Sequence, residues 1–279
     1  MEITKDLIEF INEGIEDLGY FVEETRVKKN NASLDGLIVK RVGDTNMVCP
    51  TIYPADFEKF EDVLEYIHQV INKPSPKIEV EHIMERNYIL SNVRAQVVSA
   101  GNVMLEADVV YRDFLDMAIV YRVDIGEVDG GRASYLIKSG VLDKVGLKEE
   151  DLFEVVSKDM RFVTSTMAQT LAKLMGVDEV PEEMDLLDDI YIISNEQMIN
   201  GAGVLCSDYL KDLREKFGCD LFILPSSLHE IIVLKERDGM VPTELLELVK
   251  QVNATEVRPA DMLTDSVYKF DAEGLKKVA

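Results

Sequence analysis

The chain has 279 residues, 47% of them hydrophobic and 30% charged, a composition typical of a globular protein rather than a disordered one. Its 53 Asp+Glu outnumber its 30 Lys+Arg, so the formal net charge is -23. A surface of this sign repels phosphate backbones and anionic membranes. The densest basic stretch, Arg26, Lys28 and Lys29, follows Glu23 and Glu24. We therefore predict neither direct nucleic-acid binding nor membrane binding.

The N-terminus and the cysteines indicate a cellular compartment. The first residues alternate apolar side chains with acids, which is unlike a signal peptide, and no apolar stretch is long enough to span a bilayer. The three cysteines, Cys49, Cys206 and Cys219, are odd in number and far apart, and each lies in or beside an apolar run. They are predicted to be buried free thiols, and the protein is predicted to be cytoplasmic.

The first part of the chain, residues 1–75, reads as a helix, a three-strand meander and a second helix. Apolar residues at three- and four-residue spacing predict the first helix, which ends at Gly19, and the second, which begins at Pro54. Asn30 and Asn31 form a turn signal between two strands, and Pro50 interrupts the third. The predicted strands are 20–28, 34–42 and 47–53.

The central part, residues 76–185, is predicted as an α+β region. A turn signal at residues 129–131 separates two of its strands. The acid-rich run 178–189 is interpreted as a solvated linker, with a cation site or docking tail as the alternative. The predicted helices are 79–90 and 148–160, and the predicted strands are 94–99, 117–124 and 133–138.

The last part, residues 186–279, has the clearest pattern. Strands and helices alternate in the order β-β-α-β-β-α and are followed by a short strand. The predicted strands are 190–194, 202–206, 220–224, 231–235 and 266–270, with helices starting after Ser207 and at Pro242. Short turns between neighbouring strands predict an α+β fold class with mixed or mostly antiparallel sheets and helices packed on one face.

One segment carries residue types used in catalysis. Ser226, Ser227, His229 and Glu230 lie within five positions and include the side chains of a hydrolytic triad. Their adjacency argues against a triad, since neighbours on an extended chain point to opposite faces, and there is no G-x-S-x-G motif. The alternative is a structural turn in which the serines bond to the backbone and His229 bonds locally.

Metal and phosphate motifs are missing from the sequence. His68, His82 and His229 are far apart, and no C-x-x-C is present. Gly201 and Gly203 lack the third glycine and the Lys-Ser/Thr of a nucleotide loop, so they are interpreted as turn glycines. No cofactor and no metal site is predicted.

Five short segments resemble those of a known family. They are residues 49–53, 114–120, 201–203, 223–230 and 265–268, of which 223–230, with its Pro-Ser-Ser-x-His-Glu pattern, is the most distinctive. They occur in one order through nearly the whole chain. Together they resemble an uncharacterised family, a domain of unknown function, from gut clostridia and related Firmicutes. The resemblance implies a bacterial intracellular protein and supplies no catalytic residues.

Three hypotheses about function follow. The first is a non-enzymatic cytoplasmic protein that binds a protein partner or forms a homo-oligomer, because no catalytic constellation is evident. The second is an acidic nucleic-acid mimic that inhibits a host or mobile-element factor, because the net charge is strongly negative. The third is a hydrolase that uses the Ser226, His229 and Glu230 segment.

Overall fold

A computed structural model describes residues 1–43, 49–73, 78–128, 131–177 and 189–279. The chain divides into two compact units, Met1–His82 and Ile83–Ala279. Both contain helices and antiparallel sheets, which confirms the predicted α+β class. No described helix is long and apolar enough to cross a membrane.

The first unit is a three-stranded antiparallel sheet with two amphipathic helices. The strands pair in the order β1-β2-β3. Leu7, Ile11 and Ile15 of the first helix and Val63 and Ile67 of the second are buried in the same hydrophobic cluster as the strand residues. The elements are α1 (Lys5–Ile15), β1 (Tyr20–Lys29), β2 (Ala32–Arg41), β3 (Thr51–Ile52) and α2 (Phe60–Asn72).

Two predicted elements of this unit differ from the structure. The third strand is reduced to Thr51–Ile52, and the start of its predicted range lies outside the described residues. Pro54 begins a 3₁₀-helix, Pro54–Asp56, rather than the second helix itself. The backbone is extended at Phe57 and again at Lys59, so α2 starts only at Phe60.

The second unit contains two antiparallel sheets. A four-stranded sheet has β6 at its centre, with β4 on one side and β5 and β7 on the other. A six-stranded sheet has the order β13-β12-β10-β11-β9-β8. The strands are β4 (Val93–Ser99), β5 (Tyr111–Phe114), β6 (Met117–Val128), β7 (Gly131–Leu136), β8 (Val163–Thr166), β9 (Ile190–Ser194), β10 (Leu221–Leu224), β11 (Ile231–Lys235), β12 (Tyr268–Asp271) and β13 (Gly274–Lys277).

Both sheets contribute to one main hydrophobic core. Val97 and Ile119 of the first sheet and Ile193, Ile223 and Val233 of the second belong to the same buried cluster. Further members come from the helices α4 (Arg86–Asn92), α5 (Ser139–Val145), α6 (Glu149–Ser157) and α8 (Tyr209–Phe217). The chain also forms the helices α3 (Val80–Ile83), α7 (Met167–Leu174) and α9 (Pro242–Thr255).

Several predictions for this unit are wrong in detail. The predicted strand 202–206 is a fully buried 3₁₀-helix, Gly201–Cys206, so the β-β-α-β-β-α order lacks its second strand. The predicted helix 79–90 is broken into α3 and α4. Strands β5, β8 and β13 and helices α5 and α7 were not predicted. The central residues of the turn at 129–131 and nearly all of the acid-rich run lie outside the described residues.

The predicted division into 1–75, 76–185 and 186–279 stays a prediction about independent folding units. Strand β8, from the predicted central part, pairs with β9 from the predicted C-terminal part.

Of the three cysteines, Cys206 is buried, whereas Cys49 and Cys219 are partly exposed. The prediction that all three are buried is therefore wrong for Cys49 and Cys219. Burial raises the pKa of the Cys206 thiol to about 12, so this thiol is protonated and unreactive at neutral pH.

Candidate functional site

The segment with Ser226, Ser227, His229 and Glu230 connects β10 to β11. Its backbone pairs with the stretch before β12: Leu263 N donates to Ser226 O and Leu228 N donates to Asp261 O, both at 2.9 Å. Both serines are buried. Ser227 Oγ accepts the backbone N–H of His229 at 3.0 Å, which is a local turn bond.

The imidazole of His229 is held on both sides. Its Nδ1 accepts the backbone N–H of Asn200 at 3.3 Å, and its Nε2 lies 3.3 Å from Asp261 Oδ1. Since a backbone N–H can only donate, Nδ1 carries no proton and Nε2–H donates to Asp261. Arg258 also donates to Asp261, at 2.7 Å. Both ring nitrogens thus have a described partner, and neither partner is a serine hydroxyl.

We expect His229→Ala to destabilise the backbone at Asn200, immediately before Gly201, and not to abolish an enzymatic activity. The Asn200 amide loses its acceptor and Asp261 loses one donor, so the free energy of unfolding should fall by about 1–2 kcal/mol. Hydrogen exchange read residue by residue should show faster exchange at the Asn200 amide.

Glu230→Ala is the matched control, because Glu230 is adjacent but belongs to none of these bonds. Its Asn200 amide should exchange as in the parent chain. Unchanged Asn200 exchange in His229→Ala would contradict the bridging role. An ester, phosphate or peptide hydrolysis activity lost in His229→Ala would instead support the hydrolase hypothesis.

A cavity of about 410 Å³ in the second unit has an unusual lining for so acidic a chain. Four arginines line it: Arg94, Arg122, Arg132 and Arg161. They come from β4, β6, β7 and the segment after α6. The volume is in the range of ligand-binding sites. The structure therefore assembles a basic site from segments that are not basic in sequence.

Two of these arginines are direct cross-strand partners. In the antiparallel pairing of β4 with β6, Arg94 lies opposite Arg122. Side chains at such positions lie about 4.5–5.5 Å apart at Cβ, and like charges there are destabilising. Further along the same face, Val98 lies opposite Ala118 in a small apolar cluster. A bound anion would remove the electrostatic repulsion between these two arginines.

The other two arginines are neutralised by acids of the cavity. Arg161 holds Asp159 with two bonds, of 2.7 and 2.9 Å, and Arg132 pairs with Asp124. Arg94 reaches Asp159 only at 3.9 Å. Glu196, the remaining lining acid, is exposed. The cationic character of the cavity therefore rests on Arg94 and Arg122.

Arg122 has neutral partners among the described residues. Its Nε donates to Ser134 Oγ at 3.0 Å and its Nη1 to Gln96 Oε1 at 3.3 Å. Burial lowers the pKa of Arg122, and burial together with the charge of Arg161 lowers that of Arg94. Both guanidinium groups stay charged at neutral pH. Among the described residues, Arg122 is thus a partly buried cation whose hydrogen-bond partners are neutral, so a bound anion would supply the missing counter-charge.

Exposed apolar side chains contribute to the lining of this cationic cavity. Met160, Val163 and Ile199 line it and are 43%, 44% and 45% exposed, and the neighbouring Met198 is 51% exposed. Clustered exposed apolar residues are typical of surfaces that bind other proteins, and methionine adapts to varied partners. We call these four residues the apolar rim.

The predicted segment and the cavity meet at Asn200. Asn200 lines the cavity, and its backbone N–H binds His229. The next residue, Gly201, donates its N–H to His229 O at 3.0 Å. Gly203 also lines the cavity, and a Cβ at that position would lie 2.7 Å from Ala95 O. The segment at Ser226–Glu230 therefore holds part of the cavity wall in place through the hydrogen bonds of His229 with Asn200 and Gly201.

Comparison with known proteins assigns a family. The model of a family of unknown function, DUF5688, matches residues 2–272. The chain belongs to this family. No curated protein and no solved structure matches the chain. The predicted resemblance to an uncharacterised family is thereby confirmed.

The arginine site of this DUF5688 member was missed in the sequence. Its residues lie between 94 and 203, and only the β4–β6 register brings the central pair together. One signal was available: Arg94 and Arg122 each interrupt an apolar strand, as in Val93-Arg94-Ala95 and Tyr121-Arg122-Val123. Among the described residues, no group of His, Cys, Asp and Glu is placed to hold a metal.

Proposed function

We propose that this protein is a non-enzymatic, cytoplasmic bacterial protein that binds another protein, and that the partner presents an acidic group to the arginine cavity. The opposed Arg94 and Arg122 pair carries this proposal. Two like charges at facing positions weaken the sheet on their own, and they become favourable when an anion bridges them.

The apolar rim supports a protein rather than a free ion as the ligand. A small anion would be enclosed by the arginines and would leave Met160, Val163, Met198 and Ile199 exposed. A polypeptide segment could cover these side chains while its acidic group enters the cavity. Interfaces of this kind combine apolar contact with charge complementarity, which sets the specificity and speeds association.

The geometry favours this function over the other two hypotheses. A hydrolase would need a base beside a nucleophile, and both nitrogens of His229 are engaged elsewhere. A nucleic-acid mimic would present ordered rows of acids to its target, whereas the cavity presents four arginines to its ligand. A second copy of this chain remains one of the possible partners.

The test is an affinity capture with matched arginine variants. The full chain, Arg122→Gln and Arg26→Gln are immobilised and exposed to lysate of the source bacterium. Arg26 is a suitable control because it is not among the residues that line the cavity, and its guanidinium is exposed and paired with Asp35. We expect a protein that is retained by the parent chain and by Arg26→Gln, and that is at least about tenfold depleted on Arg122→Gln.

Size-exclusion chromatography with light scattering covers the second-copy case. Self-association through the cavity predicts a dimer or larger oligomer that Arg122→Gln converts to a monomer. A chain that is strictly monomeric, and that retains no protein in an Arg122-dependent way, would overturn the proposal. Circular dichroism of each variant shows whether it is folded.

A further inference from the structure

We infer that the acidic group received by the arginine cavity is a phosphorylated side chain of the partner protein. This inference rests on the proposed function and specifies its ligand. The evidence is the number of uncompensated charges, the kind of cation, and the apolar rim.

With the exposed Glu196 left to solvent, the charge to be matched is close to two. Arg161 and Arg132 are neutralised by Asp159 and Asp124, which leaves Arg122 facing Arg94, whose own contact with the already paired Asp159 is 3.9 Å long. A carboxylate brings one negative charge, whereas a phosphorylated serine, threonine or tyrosine brings about -1.5 to -2 at neutral pH. A phosphoryl group therefore neutralises the pair, and a single carboxylate leaves one arginine uncompensated.

The type of cation in the cavity also indicates a phosphoryl ligand. Among the described residues that line the cavity, every cation is an arginine. The planar guanidinium fork matches the oxygens of a phosphoryl group with two parallel hydrogen bonds. Arg122 uses its Nε and one N–H of Nη1 on Ser134 and Gln96, which orients the fork, and no other described hydrogen bond involves its Nη2. Arginine clusters of this kind are a recurring means of binding phosphorylated peptides.

The cavity and the apolar rim have room for a phosphorylated residue and for the residues on either side of it. A cavity of about 410 Å³ exceeds the needs of a phosphoryl group alone. Val163 and Ile199 both line the cavity and reach its exposed edge, so they can contact the apolar side chains that flank the modified residue. Because a peptide would also contact these apolar side chains, it should bind more tightly than a small phosphate ester.

The experiment measures fluorescence anisotropy of labelled degenerate peptide pools with the full chain at constant ionic strength. The central residue of each pool is phosphoserine, phosphothreonine, phosphotyrosine, glutamate or unmodified serine. We expect at least one phosphorylated pool to bind at least about tenfold more tightly than the glutamate and serine pools. Arg94→Gln and Arg122→Gln should each weaken that binding by about tenfold or more, and Arg26→Gln should not.

Arg122→Lys keeps the charge but removes the fork, so it tests the geometry of recognition separately from the charge. We expect it to weaken binding of the phosphorylated pool while its circular dichroism matches the parent chain. Equal binding by Arg122→Lys and the parent chain would overturn the bidentate recognition.

Other outcomes separate the inference from the proposed function. Glutamate peptides that bind as well as phosphorylated ones, in an Arg122-dependent way, would overturn the phosphoryl inference and leave the acidic-partner proposal standing. Phosphorylated peptides that bind Arg94→Gln and Arg122→Gln as tightly as they bind the parent chain would overturn both. Phenyl phosphate that binds as tightly as the best peptide pool would replace the protein ligand by a small phosphate ester. Failure of every pool to bind overturns the inference.

Discussion

Replacing Gly201 with alanine should destabilise the second unit by about 3 kcal/mol. An added Cβ would overlap the carbonyl oxygen of His229 and would lie 2.7 Å from Ser194 Cα. Both obstacles are backbone atoms of well-packed segments, and Gly201 N also donates to His229 O at 3.0 Å. Relief requires the chain at Gly201–Cys206 to move, although all six of its residues are buried. Urea unfolding of Gly201→Ala against the parent chain measures the loss.

Gly140→Ala is the matched control for this steric argument. Gly140 lies within α5, and a Cβ there meets no atom within 4 Å. Alanine at a helical position without a clash should raise stability by roughly 0.5–1 kcal/mol. Opposite signs for the two glycine substitutions are thus expected. A Gly201→Ala protein as stable as Gly140→Ala would show that the segment can move freely, which would contradict its place as a rigid cavity wall.

Replacing Asp116 with alanine should cost about 2–4 kcal/mol of stability, because three donors lose their acceptor. Asp116 lies in the turn between β5 and β6. It accepts hydrogen bonds from Tyr268, from Ser266 Oγ at 2.8 Å and from Lys277 Nζ at 2.9 Å. Tyr268 is fully buried, so its hydroxyl would be left without this partner in a dry environment. Thermal unfolding of Asp116→Ala measures the effect.

The same cluster predicts a pH dependence. Burial alone would raise the pKa of Asp116, but the hydrogen bonds from Tyr268, Lys277 and Ser266 outweigh it and hold the pKa below its usual value. The ionised form is therefore favoured in the folded state. Its contribution to stability is present above the unfolded-state pKa of about 3.9 and is lost as the pH falls through the lower folded-state value.

Asp113→Ala provides the control, since Asp113 is an exposed aspartate on the neighbouring strand β5. It should unfold at nearly the same temperature as the parent chain. Between pH 7 and pH 3, the parent chain and Asp113→Ala should lose more stability than Asp116→Ala does. Parallel pH curves for all three proteins would contradict the assigned role of Asp116.

Periodicity predicted the elements whose packing is local. The spacing of Leu7, Ile11 and Ile15 defines α1, and all three are buried. The turn at Asn30 and Asn31 joins β1 and β2, with Asn31 at a left-handed φ of 55°. In both cases neighbouring residues determine the structure, so the sequence pattern is sufficient.

The segment at Gly201–Cys206 shows where periodicity fails. Ala202, Val204, Leu205 and Cys206 are all buried, so the run has no polar face that would reveal its period. A short apolar run is compatible with a buried strand or a buried helical turn. The close approach of Gly201 to His229 and of Gly203 to Ala95 selects the 3₁₀-helix, and these partners are distant in sequence.

The arginine cavity was not predicted because its residues, too, are distant in sequence. Counting charges along the chain found no basic patch, because the relevant charges come from four separate elements. Pairing Arg94 with Arg122 requires the register of β4 on β6, which a single sequence does not specify. The Ser226–Glu230 segment attracted attention for its residue types, yet its bonds connect it to the wall of that cavity.

The contacts of Asp116 also bear on how the second unit folds. Its three partners lie 150, 152 and 161 residues further along the chain. Closing loops of this length costs entropy before the bonds can form, so contacts of high sequence separation slow the folding of a domain. We therefore expect the contacts of Asp116 with Ser266, Tyr268 and Lys277 to be among the last to form. A chain in which β12 and β13 have not yet paired would expose the edge of the six-stranded sheet at β10 and would be open to aggregation or proteolysis at that stage.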